Sequence, residues 1–283
     1  MKITSKHIVG IAAIALCITS IIKKDYIHEK IVNEAYKIGI NLVSDNTESN
    51  ISELLQSCSF IAHAGGEING AKYTNSKEAV LNSISKGYKL IELDLRTSSD
   101  NIIVAAHDWE SFINNTEINE RPDHEQFKKQ KYLSQFTTID ISDINEIFNN
   151  NNYLALVTDK IRDIQLLSEN VSYKDRVIVE AFDIYGYNQA IRYGFNNVAF
   201  NIDIDKSEDI DFIISNNIKA VTYRGDHLES DSQSMGNAQK LASHGVYSLI
   251  YSYEDLDIDK IRGPLGISNS LIYVDFIEDG TCH

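Results

Sequence analysis

Past residue 50, short apolar runs recur along the chain, each closed by a polar or glycine-bearing stretch. They lie at 59–63, 89–95, 102–106, Tyr153–Thr158, Arg176–Phe182, Asn197–Ile202, Lys219–Tyr223, Val246–Tyr251 and Leu271–Phe276. Runs of this length, rich in Val, Ile, Leu and aromatic residues, predict strands buried on both faces. Between several of them apolar positions fall three and four apart. That spacing predicts helices over 75–86, Ser142–Phe148, Tyr187–Tyr193, Ile210–Asn216 and Gln233–His244. Asn75 followed by Glu78 has the form of a capping box, and Gly87 suits the C-terminal cap of the same helix. The first strand, this helix and the second strand form a β-α-β unit, a right-handed crossover that builds a parallel sheet.

The repeated alternation predicts an α/β fold, a TIM-barrel-like (β/α)8 architecture with some irregularity. Nine candidate strands stand against the eight of such a barrel. The 89–95 and 102–106 runs are joined too tightly for a helical crossover, so one of the nine is a hairpin arm, an irregular strand or no strand at all. A doubly wound open sheet is the alternative, but no glycine-rich dinucleotide fingerprint accompanies it. The 109–141 stretch is long and polar and reads as a lid or substrate loop.

The N-terminus follows a different pattern. Ile8 to Ile22 is almost unbroken apolar sequence, with Lys2 and Lys6 before it and Lys23 and Lys24 after it. As a hydrophobic helix it would span about 24 Å, short of a hydrocarbon core of about 30 Å. Residues 1–24 are expected to be a signal anchor or a signal peptide, with a buried helix as a third reading. No A-x-A site follows, and Leu16 before Cys17 does not suit lipoprotein processing, which favours an uncleaved anchor. Lysines on both sides leave the orientation open. Ile27, Ile31, Val32, Ala35, Ile38 and Leu42 fall on one helical face, and Ser44 to Asn50 is polar, so 25–50 reads as a helical stalk and linker. The barrel domain is expected over 51–283.

With 43% hydrophobic residues the chain has the apolar content for a full core. A net charge of −15 excludes nucleic acid as a natural partner and disfavours broad adhesion to anionic lipid. The three cysteines, Cys17, Cys58 and Cys282, include no C-x-x-C pair, which argues against a thiolate zinc site. In an exported domain Cys58 and Cys282 are a candidate disulfide; otherwise both are thiols.

Chemistry-bearing residues concentrate between Phe60 and Asp108. His63 follows the first strand, Glu92 and Asp94 lie within the second, and His107-Asp108 ends the third. Carboxylates and imidazoles in such apolar runs are paired, metal-bound or chemically active. Glu92 and Asp94, two apart on a strand, share one face. Two close carboxylates call for a hard divalent cation, Mg2+ or Ca2+, unless they are a solvated strand end paired with Lys89 or Arg96. His63 and His107 are suited to proton transfer near neutral pH. Asp203, Asp205, Glu208, Asp209 and Asp211 lack the glycine and closing glutamate of an EF-hand loop and read as a solvated face.

His63-Ala64-Gly65, Thr74-Asn75-Ser76, Glu92-Leu93-Asp94, Thr97-Ser98-Ser99-Asp100-Asn101 and His107-Asp108 come in the order of five motifs. In this set the chain resembles the glycerophosphodiester phosphodiesterase family, among phospholipase-C-like phosphodiesterases. The likeness is strong over 59–108 and weaker towards the C-terminus. It implies a metal-dependent phosphodiester hydrolase acting on a small phosphodiester or phospholipid-derived substrate, with His63 and His107 as general acid and base. It implies Glu92 and Asp94 as metal ligands, with a third from a later strand: Asp159 where the family has E-x-K, with Glu180 in reserve. Lys160, one place early relative to the family lysine, is the expected phosphate contact. Ala64 stands where the family has an arginine that contacts the substrate phosphate; Arg224 is a candidate replacement, and amides of the Gly66–Gly70 loop a partial one. Trp109 is a candidate pocket wall. With the N-terminal run, the resemblance implies a domain that is membrane-anchored through that segment or exported, with the outer side of a membrane as the expected location. The alternatives are a catalytically degenerate barrel that binds a headgroup or glycan, and a phospholipase that works by intramolecular attack.

Overall fold

The computed structural model describes residues 50–56, 60–253, 257–266 and 269–275. The chain divides into two units, Met1–Ser44 and Asp45–His283. The first lies outside the described residues, and with it the predicted hydrophobic helix and most of the stalk. Cys17, Cys58 and Cys282 fall outside them too. No helix among the described residues is long and apolar enough to cross a membrane.

Eleven strands are described: β1 (Phe60–Ala62), β2 (Leu90–Thr97), β3 (Ile103–Ala105), β4 (Lys131–Tyr132), β5 (Phe136–Thr137), β6 (Ala155–Asp159), β7 (Val177–Ala181), β8 (Asn197–Asn201), β9 (Ala220–Arg224), β10 (Tyr247–Tyr251) and β11 (Ser270–Val274). Eight are parallel and run β1-β2-β6-β7-β8-β9-β10-β11, and β1 pairs with both β2 and β11. The sheet closes on itself, as a TIM-like barrel requires. The ninth candidate strand, β3, pairs antiparallel with β2, Leu95 opposite Ala105. It is a hairpin arm, because the short 98–102 link leaves no room for a crossover helix.

Strand parity divides each strand between two cores. Leu90, Ala155, Val157, Ile178, Ala199 and Leu249 fill the barrel interior, where Ile51 and Leu55 of helix Ile51–Gln56 join them. Ile91, Leu93, Leu156, Val177 and Val179 face outward and are covered by Ile144, Phe148 and Leu167 from surrounding helices. Each such residue, fully buried, contributes about 1.5–3 kcal/mol. Inward positions turn polar towards the C-terminal strand ends: Glu92 and Asp94 on β2, Asp159 on β6, Glu180 on β7 and Thr222 on β9. The apolar floor and polar mouth follow from this gradient.

The 109–141 stretch is not a plain loop. It forms helices Trp109–Asn114 and His124–Lys129 and the β4–β5 hairpin. Phe112 and Phe127 stack at 4.9 Å and, with Val104 and Ala106, make a satellite core. Polar composition hid this packing, although Asp123 and Gln126 form a full capping box.

Candidate active site

The turn after β1 sets the first corner. His63–Gly65 is a tight helical turn in which Ala64 (φ 47°), Gly65 (φ 84°) and Gly66 (φ 94°) are left-handed. A side chain at Gly66 would meet Ser83 Oγ at 2.2 Å, so only glycine fits. The turn aims the Ala64 N–H at Glu92 Oε2, 2.7 Å away. The Gly66 N–H donates to the His63 carbonyl at 2.7 Å, so this amide is spent on the turn and is not free to replace an arginine.

Asn75 does not cap the next helix. Ser76 does, accepting from the Ala79 N–H, and Glu78 instead accepts from the Thr137 N–H and hydroxyl of the β4–β5 hairpin. Asn75, left-handed at φ 48°, is thereby turned onto Asp94. Its Nδ2 donates to Asp94 Oδ2 at 2.8 Å, and its Oδ1 accepts from the Asp94 N–H at 3.0 Å.

Glu92, Asp94 and Asp159 come together as their register dictates, Asp94 opposite Asp159, with carboxylate oxygens within 4.8 Å of one another. Glu92 and Asp94 are 1% exposed. Burial, then Asp94 and Asp159 beside it, pushes the Glu92 carboxyl well above the usual range. Its Oε1 is buried with no hydrogen-bond partner. An all-carboxylate donor set with one orphaned buried oxygen fits a hard divalent cation. The Lys160 ammonium also belongs to this cluster. It pairs with Asp159 and lies 3.7 Å from Asp94 Oδ1. Burial opposes its charge, but Asp159, Asp94 and Glu92 hold it protonated above its ordinary range.

Glu180, the reserve ligand, lies outside this group. It accepts a hydrogen bond from the Tyr273 hydroxyl, and burial followed by Asp159 raises its carboxyl to about 8.

His63 follows β1 and His107 follows β3, and the ring of Tyr73 contacts both. The Tyr73 ring lies 4.8 Å from the His63 ring and 6.2 Å from that of His107. Each imidazole has a carboxylate at Nδ1: Asp275 Oδ1 at 3.4 Å from His63, and Asp108 Oδ2 at 2.6 Å from His107. Asp275 also holds Lys72 at 2.9 Å. Burial opposes ionisation of Asp108, but the Ser111 amide and hydroxyl and the His107 ring lower it to about 2. Arg96 donates twice to the His107 carbonyl, at 3.0 and 3.2 Å, and fixes the backbone there. A carboxylate at Nδ1 leaves Nε2 of each ring for proton exchange.

Arg224 ends β9 with Nε 2.8 Å from Asp226 and Nη2 2.6 Å from His227 Nε2, at the rim of the mouth. Trp109 packs edge-on against Phe112 and Phe127 with Arg121 over its face, so its described contacts belong to the satellite core. Tyr73, Tyr273 and Asp275 were missed as site residues. The last two lay within a run already read as a strand, and their inward parity is visible only once β11 is known to pair with β1, Tyr273 opposite Ile61.

Fold and site together define a (β/α)8 barrel with an acidic cluster and paired histidines at its C-terminal mouth. The profile of the "Glycerophosphoryl diester phosphodiesterase family" matches residues 64–243, and the chain belongs to that family of phosphoric diester hydrolases. Solved structures agree on the fold. A glycerophosphoryl diester phosphodiesterase from Parabacteroides distasonis superposes with a TM-score of 0.64 at 15% identity, over 82% of this chain and 90% of that one. The glycerophosphodiester phosphodiesterase of Thermotoga maritima gives 0.61 at 17% identity, over 77% and 95%. That of Agrobacterium tumefaciens gives 0.58 at 14%, over 77% and 96%. No curated protein matches the chain in sequence. The family is generally dependent on a divalent cation, in keeping with the acidic cluster.

Proposed function

We propose that this hydrolase cleaves glycerophosphodiesters with a divalent cation held by Glu92, Asp94 and Asp159 and with His63 and His107 as the acid–base pair. The observation that carries this reading is the carboxylate trio within 4.8 Å, one of its oxygens buried and unpaired, beside two histidines that each have a carboxylate at Nδ1. A bound Mg2+ or Ca2+ would neutralise phosphate charge and polarise a phosphoryl oxygen. The residues of the chain do the rest. One imidazole takes the proton of the attacking oxygen while the other protonates the departing alkoxide. Asp108, hydrogen-bonded to His107 Nδ1, fixes that ring's tautomer, and Asp275, 3.4 Å from His63 Nδ1, stabilises an imidazolium at His63. Lys160 and Arg224 bring positive charge to the phosphate, and Trp109 borders the mouth from the satellite core.

The N-terminal apolar run supports attachment to, or export across, a membrane. Fractionation of cells making the full chain, against one lacking residues 1–24, checks this: loss of membrane association in the shorter chain is expected, and an unchanged distribution would refute it.

The reaction is tested on the full chain with glycerophosphocholine, glycerophosphoethanolamine and glycerophosphoglycerol, in Mg2+ or Ca2+ and then in EDTA. Metal-dependent release of glycerol phosphate is expected. A folded protein that releases none with either metal would overturn the substrate assignment, and a cyclic phosphate product would point to intramolecular attack.

A further inference from the structure

The cations at the barrel mouth already have acceptors. Lys160 is held by Asp159 and Asp94, Arg224 by Asp226, Lys72 by Asp275, and Arg96 by the His107 carbonyl. Ala64 offers no donor side chain. Tyr73 is different. It is half-buried, its ring packs edge-on against both His63 and His107, and its hydroxyl makes no hydrogen bond to any described residue. Its backbone is left-handed at φ 57°, a conformation that costs a bulky residue about 1–2 kcal/mol. Bulky residues persist in such conformations where the surroundings force them, and these sites cluster at ligand clamps. A phosphate that reaches both imidazoles comes close to the ring that touches each of them.

Resting on the proposed phosphodiesterase reading, we propose that Tyr73 is a substrate-contacting residue whose hydroxyl donates a hydrogen bond to a phosphoryl oxygen of the substrate and of the phosphate monoester product. The groups facing it suit a donor. Burial, then the negative charge of Asp275, raises the Tyr73 hydroxyl above its ordinary value, against the pull of Lys72, so the proton stays on the oxygen. The αL backbone turns the ring onto the two imidazoles, and Asn75, two residues on, locks that loop to Asp94.

The test is calorimetric titration of the full chain with sn-glycerol 3-phosphate in the presence of Mg2+, alongside steady-state kinetics. Tyr73→Phe keeps the ring and loses only the donor. It should weaken glycerol phosphate binding about tenfold, the size of one hydrogen bond to a charged group, and lower kcat/KM by a similar factor. Tyr73→Asn, suited to left-handed backbone, should fold with a Tm within a few degrees of wild type and lose binding at least as far. A purely structural ring would show the opposite pattern, with Tyr73→Phe binding as wild type does. That result, or no measurable binding by the wild-type chain, overturns the proposal. Wild-type binding that depends on Tyr73 without any turnover would instead overturn the phosphodiesterase reading and leave this one standing.

Discussion

The two arcs of the barrel mouth hold their polar groups in different ways. From β1 to β3 the groups are fixed by neighbours outside the chemistry, and only at the end of β6 do Asp159 and Lys160 pair with each other. The Ala64 amide holds Glu92, Asn75 holds Asp94 by two bonds, Asp108 holds His107, and Arg96 holds the backbone of His107. From β7 to β11 the groups pair with one another: Glu180 with Tyr273, and Arg224 with Asp226 and His227. The first arc is preorganised, so its groups can meet developing charge without rearranging. The second is a set of self-satisfied pairs, and a substrate reaching it must compete with partners already in place. Substitutions on the first arc should therefore strike turnover and metal affinity, and those on the second should strike KM and pH response.

The harshest test falls on His107. His107→Ala should lower kcat about a thousandfold, within the range for losing a positioned acid or base, with circular dichroism unchanged. Activity within a few-fold of wild type would place the chemistry elsewhere. Asn75→Ala should act one step removed. With both of its bonds to Asp94 gone, metal affinity should fall about 10–100-fold by titration, and saturating metal should restore much of kcat. A variant that bound metal normally would show that Asp94 needs no support, and the contrast between the arcs would weaken.

The first arc was also the more legible one. Glu92 and Asp94 announce themselves by period-two parity inside an apolar run, and His63 and His107 by standing at run ends. These are local signals. Asn75 shows where local signals stop. Asn75 and Ser76 are adjacent and both suit a helix N-cap, and the decision between them lies in Asp94, 19 residues away in sequence. The satellite core of 109–141 was hidden because its stability comes from four aromatic residues that meet only after two short helices have formed. On the second arc Glu180 was legible by its own strand parity, but Tyr273 and Asp275 owe their place to barrel closure between the first and last strands, a contact that no window of sequence contains. The eight-strand count was legible only after one of nine runs was set aside. The tight 98–102 link marked the right pair, and pairing direction then identified β3.

Arg224 separates the arcs kinetically. Arg224→Ala should raise KM roughly five- to tenfold with kcat within about twofold, the pattern of lost ground-state binding. A fall in kcat with KM unchanged would move Arg224 onto the reacting centre and erase the division drawn above.

Glu180 offers the smallest effect and the most specific sign. Its carboxyl, at about 8 in the fold against an ordinary 4.5, is favoured in its protonated form. The folded state therefore holds a proton that the unfolded chain has released between those values. Stability is highest below pH 4.5 on this account and declines as pH rises towards 8, where the buried group must ionise beside Asp159. Glu180→Gln keeps an oxygen to accept from Tyr273 and removes the ionisation. In EDTA its Tm should exceed wild type by a few degrees at pH 8 and match it near pH 4.5. A gain that is the same at both pH values would mean that packing, not charge, limits the second arc. A loss at pH 8 would mean that the fold stabilises the ionised carboxylate, against the upward shift that burial and Asp159 impose.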